Sequence, residues 1–182
     1  MRDLIASLIL IYMEAFRANV FFLSDRWDNS FTLDLYTDAA VSKGYGAIFG
    51  KHWFGGAFPP GWKDFNITFL ELFPIVLAVH IWGSHISNRR VLFFTDNSAL
   101  VDIINKQTSK HKSVTVLLRD LVLSCLSYNI LFRAQHVPGL QNSQADNISR
   151  FQVESFKELA PEADEFPTTV PTNLLAENWS II

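Results

Sequence analysis

One cysteine, Cys125, stands in a chain of 182 residues, which excludes a disulfide framework and any cysteine-based zinc site. Glycine (8) and proline (7) are sparse and scattered, so neither a collagen-like nor a low-complexity chain is in question. Charged residues make up 18% against 49% hydrophobic, which excludes wholesale disorder and leaves enough apolar surface for one core of ordinary size. The scarcity of thiols points to a reduced, intracellular setting and not to a secreted protein.

The apolar stretch Leu4 to Leu23 is interrupted by Glu14 and Arg17 and is led by Arg2-Asp3. It lacks the positive start and small-residue cleavage site of a signal peptide, and it lacks the unbroken run of about 20 apolar residues that a membrane span requires. A buried or partner-facing helix is expected there, with no membrane as partner. Residues 1–150 hold 14 Lys/Arg against 12 Asp/Glu, whereas residues 151–182 hold one lysine against six acids. The net charge of −3 therefore hides a basic body and an acidic end; residues 80–150 alone carry eight Lys/Arg and four Asp, a balance that permits a polyanionic partner.

Hydrophobic periodicity divides the rest. Phe31 to Thr37 alternates as a strand running to Asp38, after a polar connector Ser24 to Ser30. Tyr45 to Phe49 and His52 to Phe58 flank Gly50-Lys51 as a hairpin. Asn66 to Trp82 is nearly continuous apolar sequence, expected as a helix buried on all sides, with Pro74 in its first turns or at a kink and Gly83 as its cap. Arg90 to Thr95 reads as a buried strand ending at Asp96, and a helix from Ser98 to Asn105 follows. The basic segment Lys106 to Lys112 leads to a helix over Ser113 to Leu126, a strand over Ile130 to Val137, and a short helix capped by Asn142 that contains Asp146. The expected fold is α/β, with a five-stranded mixed sheet made of a three-strand antiparallel meander plus parallel strands, and helices packed on it. Three regions follow: a helical segment over 1–30, the α/β domain over 31–151, and an acidic, proline-containing linker or tail over 152–182.

Asp38 and Asp96 are each the first acid after a hydrophobic strand. Were those strands parallel and adjacent, both carboxylates would emerge at one carboxyl edge, where open α/β sheets bind ligands. Close carboxylates repel, so a cation is expected between them, and a hard divalent ion with oxygen ligands fits. Glu71 lies within the most apolar helix, where an unpaired charge is costly. Together with Asp146 these acids can hold two metal ions for in-line phosphodiester hydrolysis. Structural readings stand beside this one: Thr68 to Glu71 matches a capping box, Asp146 complements a helix dipole, and Asp38 and Asp96 suit turns or caps.

The runs Tyr36-Thr37-Asp38-Ala39-Ala40, Gly44-Tyr45-Gly46-Ala47, Phe69-Leu70-Glu71-Leu72, Phe94-Thr95-Asp96-Asn97, His136-Val137-Pro138-Gly139 through Asn142, Ala145-Asp146 and Ser149-Arg150 resemble the ribonuclease H domain of retroelement reverse transcriptases. Phe73 to Ala78, Asn105 to Lys110 and Pro167 to Pro171 are most like the DIRS-like, tyrosine-recombinase-bearing retrotransposons. The resemblance spans residues 31–151, and more weakly residues 1–30 resemble the end of a polymerase or connection region. It implies a ribonuclease H-like fold and hydrolysis of the RNA strand of RNA/DNA hybrids with two Mg²⁺ ions, or Mn²⁺ in their place. By motif, Asp38, Glu71, Asp96 and Asp146 would be both the catalytic residues and the metal ligands, and the polymerase domain of the parent polyprotein would be a partner. Gly139 to Asn142 is short and lacks the histidine that a longer loop carries in many cellular members.

For the hybrid itself, recognition by shape, phosphates and 2′-hydroxyls is expected. Backbone amides around Gly44 and Gly46 are candidates for close approach to RNA. Lys106, Lys110, His111 and Lys112 are candidates for DNA phosphates, with a solvated connector as the competing reading. Asn97 and Gln107 are candidate 2′-hydroxyl partners. His136 reads as a hydrogen-bonded strand-end histidine, and Trp53, Phe54, Phe58 and Trp62 as core or rim packing in preference to a base-stacking platform.

Overall fold

A computed structural model describes residues 25–138 and 142–175. The apolar stretch Leu4 to Leu23 and the loop residues Gly139 to Gln141 lie outside them.

The helix α1, Ile67–Trp82, organises the molecule. Its apolar residues run around the whole circumference, so it is stable only if enclosed. From Thr68 to Val79 every residue but Glu71 is buried. Each fully buried Leu or Phe contributes about 1.5–3 kcal/mol relative to exposure. Asn66 starts the helix by accepting a hydrogen bond from the Thr68 amide at 2.8 Å. The expected capping box is therefore absent: the cap lies two residues before Thr68, and Glu71 is left without a capping role. Pro74 sits at the eighth position, in the helix interior, where it cannot donate to the Leu70 carbonyl. Gly83 does not adopt the expected left-handed cap, since its φ is −55°. Glycine is required there by contact, because a Cβ would meet the Tyr128 ring at 2.4 Å.

The fold is mixed α/β. Strands β2 (Leu35–Ala40), β3 (Gly44–Phe49) and β4 (His52–Ala57) form an antiparallel sheet in that order. Strands β1 (Trp27–Asn29), β5 (Arg90–Thr95) and β6 (Leu131–His136) form a parallel sheet in the order β1-β5-β6. The expected single five-stranded sheet is thus two three-stranded ones. Trp27–Asn29, expected as connector, takes the place beside the first half of β5. A helical turn, Ser30–Leu33, then interrupts the chain before β2. Asn29 makes that turn, since its side-chain oxygen accepts from the amides of Phe31 and Thr32 at 2.9 and 3.2 Å. Alternation over Phe31 to Tyr36 mimicked a longer strand, but local side-chain capping won. Asp38 consequently lies inside β2 and not at its end. β2 and β5 touch, though no ladder joins them.

Helices α2 (Ser98–Lys106) and α3 (Lys112–Ser127) follow β5, and α3 packs along α1. The antiparallel sheet is covered on both faces. Tyr45, Ala47 and Phe54 face the main core under α1, while Ile48 and Trp53 join a second core with Ile148, Phe156 and Ala160. That second core is built by α4 (Ser143–Ser149) and α5 (Val153–Leu159).

Beyond Phe151, where the sequence shows no periodicity, the chain packs onto β4. The Phe156 ring lies 5.1 Å from that of Trp53, and the Trp53 indole donates to the Asp164 carbonyl at 2.7 Å. The Asp164 carboxylate also meets the His52 Nδ1 at 2.5 Å, the Thr168 amide donates to the Trp53 carbonyl at 2.6 Å, and Val170 reaches the main core. These partners lie more than 100 residues away in sequence, which is why no local pattern announced the packing. The same distribution predicts that Phe156→Ala lowers the unfolding free energy by about 3–5 kcal/mol in a urea titration. Phe166→Ala, at a side chain 73% exposed, should change it by no more than about 0.5 kcal/mol.

Candidate functional site

Each of the four acids reaches the same neighbourhood from a different element. Asp38 comes from the middle of β2, opposite Gly46 in the register with β3. Asp96 follows β5 directly and is exposed. Glu71 is half-buried on α1, and Asp146 lies on α4. Burial pushes the Asp38 carboxyl up to about 6; the Ser149 hydrogen bond opposes this, and the negative charges of Asp146 and Asp96 add to it. Burial likewise pushes Glu71 up to about 7, opposed by hydrogen bonds from Asn97 and Thr95 and reinforced by Asp96 and Asp38. Thus Asp38 lies within electrostatic reach of the other three acids, and Glu71 of Asp96 as well.

Individual contacts hold them. Ser149 Oγ donates to Asp38 Oδ2 at 2.6 Å, and Asn142 Nδ2 reaches Asp38 Oδ1 at 3.5 Å and the Thr37 carbonyl at 2.8 Å. Thr95 Oγ1 lies 3.5 Å from Glu71 Oε2. Arg150 Nε donates to Asp146 Oδ1 at 2.7 Å. Among the described residues no three His, Cys, Asp or Glu side chains are closed into a ready cage for an ion. The donor chemistry nonetheless fits a hard divalent cation: the converging acids present carboxylate oxygens, two of them resist ionisation, and among the described residues Arg150 is the cation that acts on Asp38.

The remaining sequence-predicted residues divide. Asn97 joins the site, but as a structural partner. Its side-chain oxygen caps α2 by accepting from the Ala99 and Leu100 amides at 3.0 and 3.1 Å, while its side chain hydrogen-bonds Glu71. Gly46 is buried beneath α4, where a Cβ would lie 2.6 Å from Ile148 Cγ2. Gly44 is buried against Gly56 and Phe151. Both glycines thus serve close packing. Lys106 pairs with Asp102 at 3.0 Å, Gln107 ends α2 at φ 50°, and Lys110 and Lys112 are exposed between α2 and the start of α3. His111 and Asn66 approach to 3.4 Å, which ties this basic segment to the beginning of the helix that carries Glu71. His136 is exposed at the end of β6, and Trp53 and Phe54 are core residues.

Asn142 does not cap α4 with its side chain as expected; it turns to Thr37 and Asp38 instead. Ser149, Arg150 and Thr95 stand in the runs that carry the resemblance, but sequence reasoning gave them no role. Arg150 alone had a local signal, its i,i+4 spacing from Asp146.

Two carboxyls with raised pKa make the folded chain bind more protons than the unfolded one between about pH 4 and pH 7, so stability falls as pH rises through that window. Without divalent cations, the thermal midpoint should be lower at pH 8 than at pH 5, and Asp38→Asn should flatten this difference. Millimolar Mg²⁺ should raise the wild-type midpoint at pH 8 and leave it nearly unchanged at pH 5. A metal-free midpoint that climbs from pH 5 to pH 8 would contradict the electrostatics.

In the comparisons with known proteins, no protein-family model and no curated protein matches this chain.

Proposed function

We propose that this chain is a ribonuclease H-type nuclease that hydrolyses the RNA strand of RNA/DNA hybrids, as a retroelement reverse transcriptase requires. One observation carries the reading: Asp38 lies within electrostatic reach of Glu71, Asp96 and Asp146, and the four acids follow one another in the order Asp-Glu-Asp-Asp along the chain. The sequence motifs around them support it.

In this reading the four carboxylates hold divalent cations, Mg²⁺ or Mn²⁺. When bound, such ions supply Lewis acidity and neutralise charge on a phosphodiester undergoing in-line attack. The protein's own share is positional. Ser149 and Asn142 orient Asp38, while Thr95 and Asn97 orient Glu71. Arg150 neutralises Asp146 until a stronger cation competes for it. The exposed Lys106, Lys110 and Lys112, with Gln107 between them, offer contacts to the phosphates and 2′-hydroxyls of a hybrid, and the polymerase domain of the parent polyprotein would add to that grip. A catalytically silent, hybrid-binding module is the second reading, favoured by the pairing of Asp146 with Arg150.

Cleavage of a labelled RNA/DNA hybrid in Mg²⁺ and in Mn²⁺ tests the proposal. Only the RNA strand should be cut, EDTA should abolish cutting, and Asp96→Asn should lower the rate by at least about 100-fold, the equivalent of losing several kcal/mol of transition-state stabilisation. Hybrid binding without cleavage would select the silent module. Neither binding nor cleavage by folded protein would remove the nucleic-acid reading.

A further inference from the structure

We infer that Ser149 is a positioning residue that sets the Asp38 carboxylate against Asp146, and that its hydroxyl determines how tightly this site takes a divalent cation. The inference rests on the proposed metal centre and adds to it the part that aligns two of its ligands.

Ser149 is completely buried, so its hydroxyl has no solvent partner to choose. The Oγ lies 2.6 Å from Asp38 Oδ2 and 2.9 Å from the Asp146 carbonyl. A hydroxyl has one proton, and the shorter contact to the more basic acceptor takes it. Ser149 stands three residues after Asp146, so one turn of α4 carries both the Asp146 carboxylate and the group that fixes Asp38. Asn142, immediately before the helix, holds the other oxygen of Asp38. α4 therefore brackets the Asp38 carboxylate from both of its ends.

The helix can come this close because β3 and β4 present glycine beneath it. Gly46 pairs with Gly55 across the strands and with Asp38 on the other side. A Cβ on Gly46 would lie 2.6 Å from Ile148 Cγ2 and 2.8 Å from the Ser149 amide nitrogen, and one on Gly55 would lie 2.6 Å from the same methyl. Such contacts would lift α4, and Ser149 with it, away from Asp38. The glycine seat and the serine hydroxyl form one device: the first allows the approach, and the second orients the carboxylate.

Ser149→Ala removes one atom from a close-packed position, so the fold is kept. The test is Mn²⁺ binding by calorimetry on the whole 182-residue chain, with cation-free thermal melts beside it. Wild type should bind Mn²⁺, and Asp96→Asn should lose that binding. Ser149→Ala should weaken the affinity by about 10-fold, the usual effect of removing an outer partner of a ligand, with its cation-free melt lowered by only a few degrees and still a single cooperative transition. Ser143→Ala, on the exposed start of the same helix, should bind as wild type does. An unchanged affinity in Ser149→Ala, with wild-type binding intact, overturns this inference and leaves the metal centre standing. A loss of affinity accompanied by collapse of the cation-free melt also overturns it, since the serine would then be structural only. Absence of Mn²⁺ binding in the wild type overturns the metal centre and this inference together.

Discussion

Enclosure of the helix Ile67–Trp82 dictates where the neighbouring sheet and helices must lie. A helix apolar on every side must be covered on every side. The antiparallel sheet covers one flank and α3 covers another. The half-buried Glu71 is the exception in its buried run, and it faces the one place where Asp38 and Asp96 also arrive. The apolar burial that stabilises the fold thus also forces a carboxylate into low-dielectric surroundings. By length and composition the continuation of this helix to Ile86 would suffice to cross a membrane, yet it is mostly buried within the protein.

Holding acids there works against stability. Burial and mutual repulsion both favour the protonated forms of Asp38 and Glu71. The hydrogen bonds from Ser149, Thr95 and Asn97 offset part of this, and Arg150 compensates Asp146 at 2.7 Å. An amide replacement at Asp38 would relieve that repulsion. Under the proposed function, a bound cation would relieve this cost.

The second core shows how the site's geometry is maintained. Ile148 and Phe156, from consecutive short helices, seat on the face of β3 and β4 opposite to α1. Helices of seven residues are not stable alone, and tertiary packing holds them. Asp146 is therefore placed by Ile148 and the glycine seat under it, and the segment out to Val170 reinforces that seat by closing over Trp53. The acidic segment over residues 152–170 is part of the architecture that supports the candidate centre.

Much of this was legible in the residues themselves. The hairpin over β3 and β4, the helix α1, the strand β5 and the two helices after it follow from local periodicity, and so does the linear order of the four acids. These are properties of neighbours along the chain, and side-chain period reports them directly. Other features depend on partners remote in sequence. The hydroxyl of Ser149 and the carboxylate of Asp38 are 111 residues apart, as are the Trp53 indole and the carbonyl of Asp164. Trp27–Asn29 becomes a strand only because β5 is there to pair with it, Asn142 abandons its cap for Thr37, and Gly46 is needed because Ile148 descends on it. Periodicity encodes which face of an element is apolar; it holds no record of which distant group that face will meet.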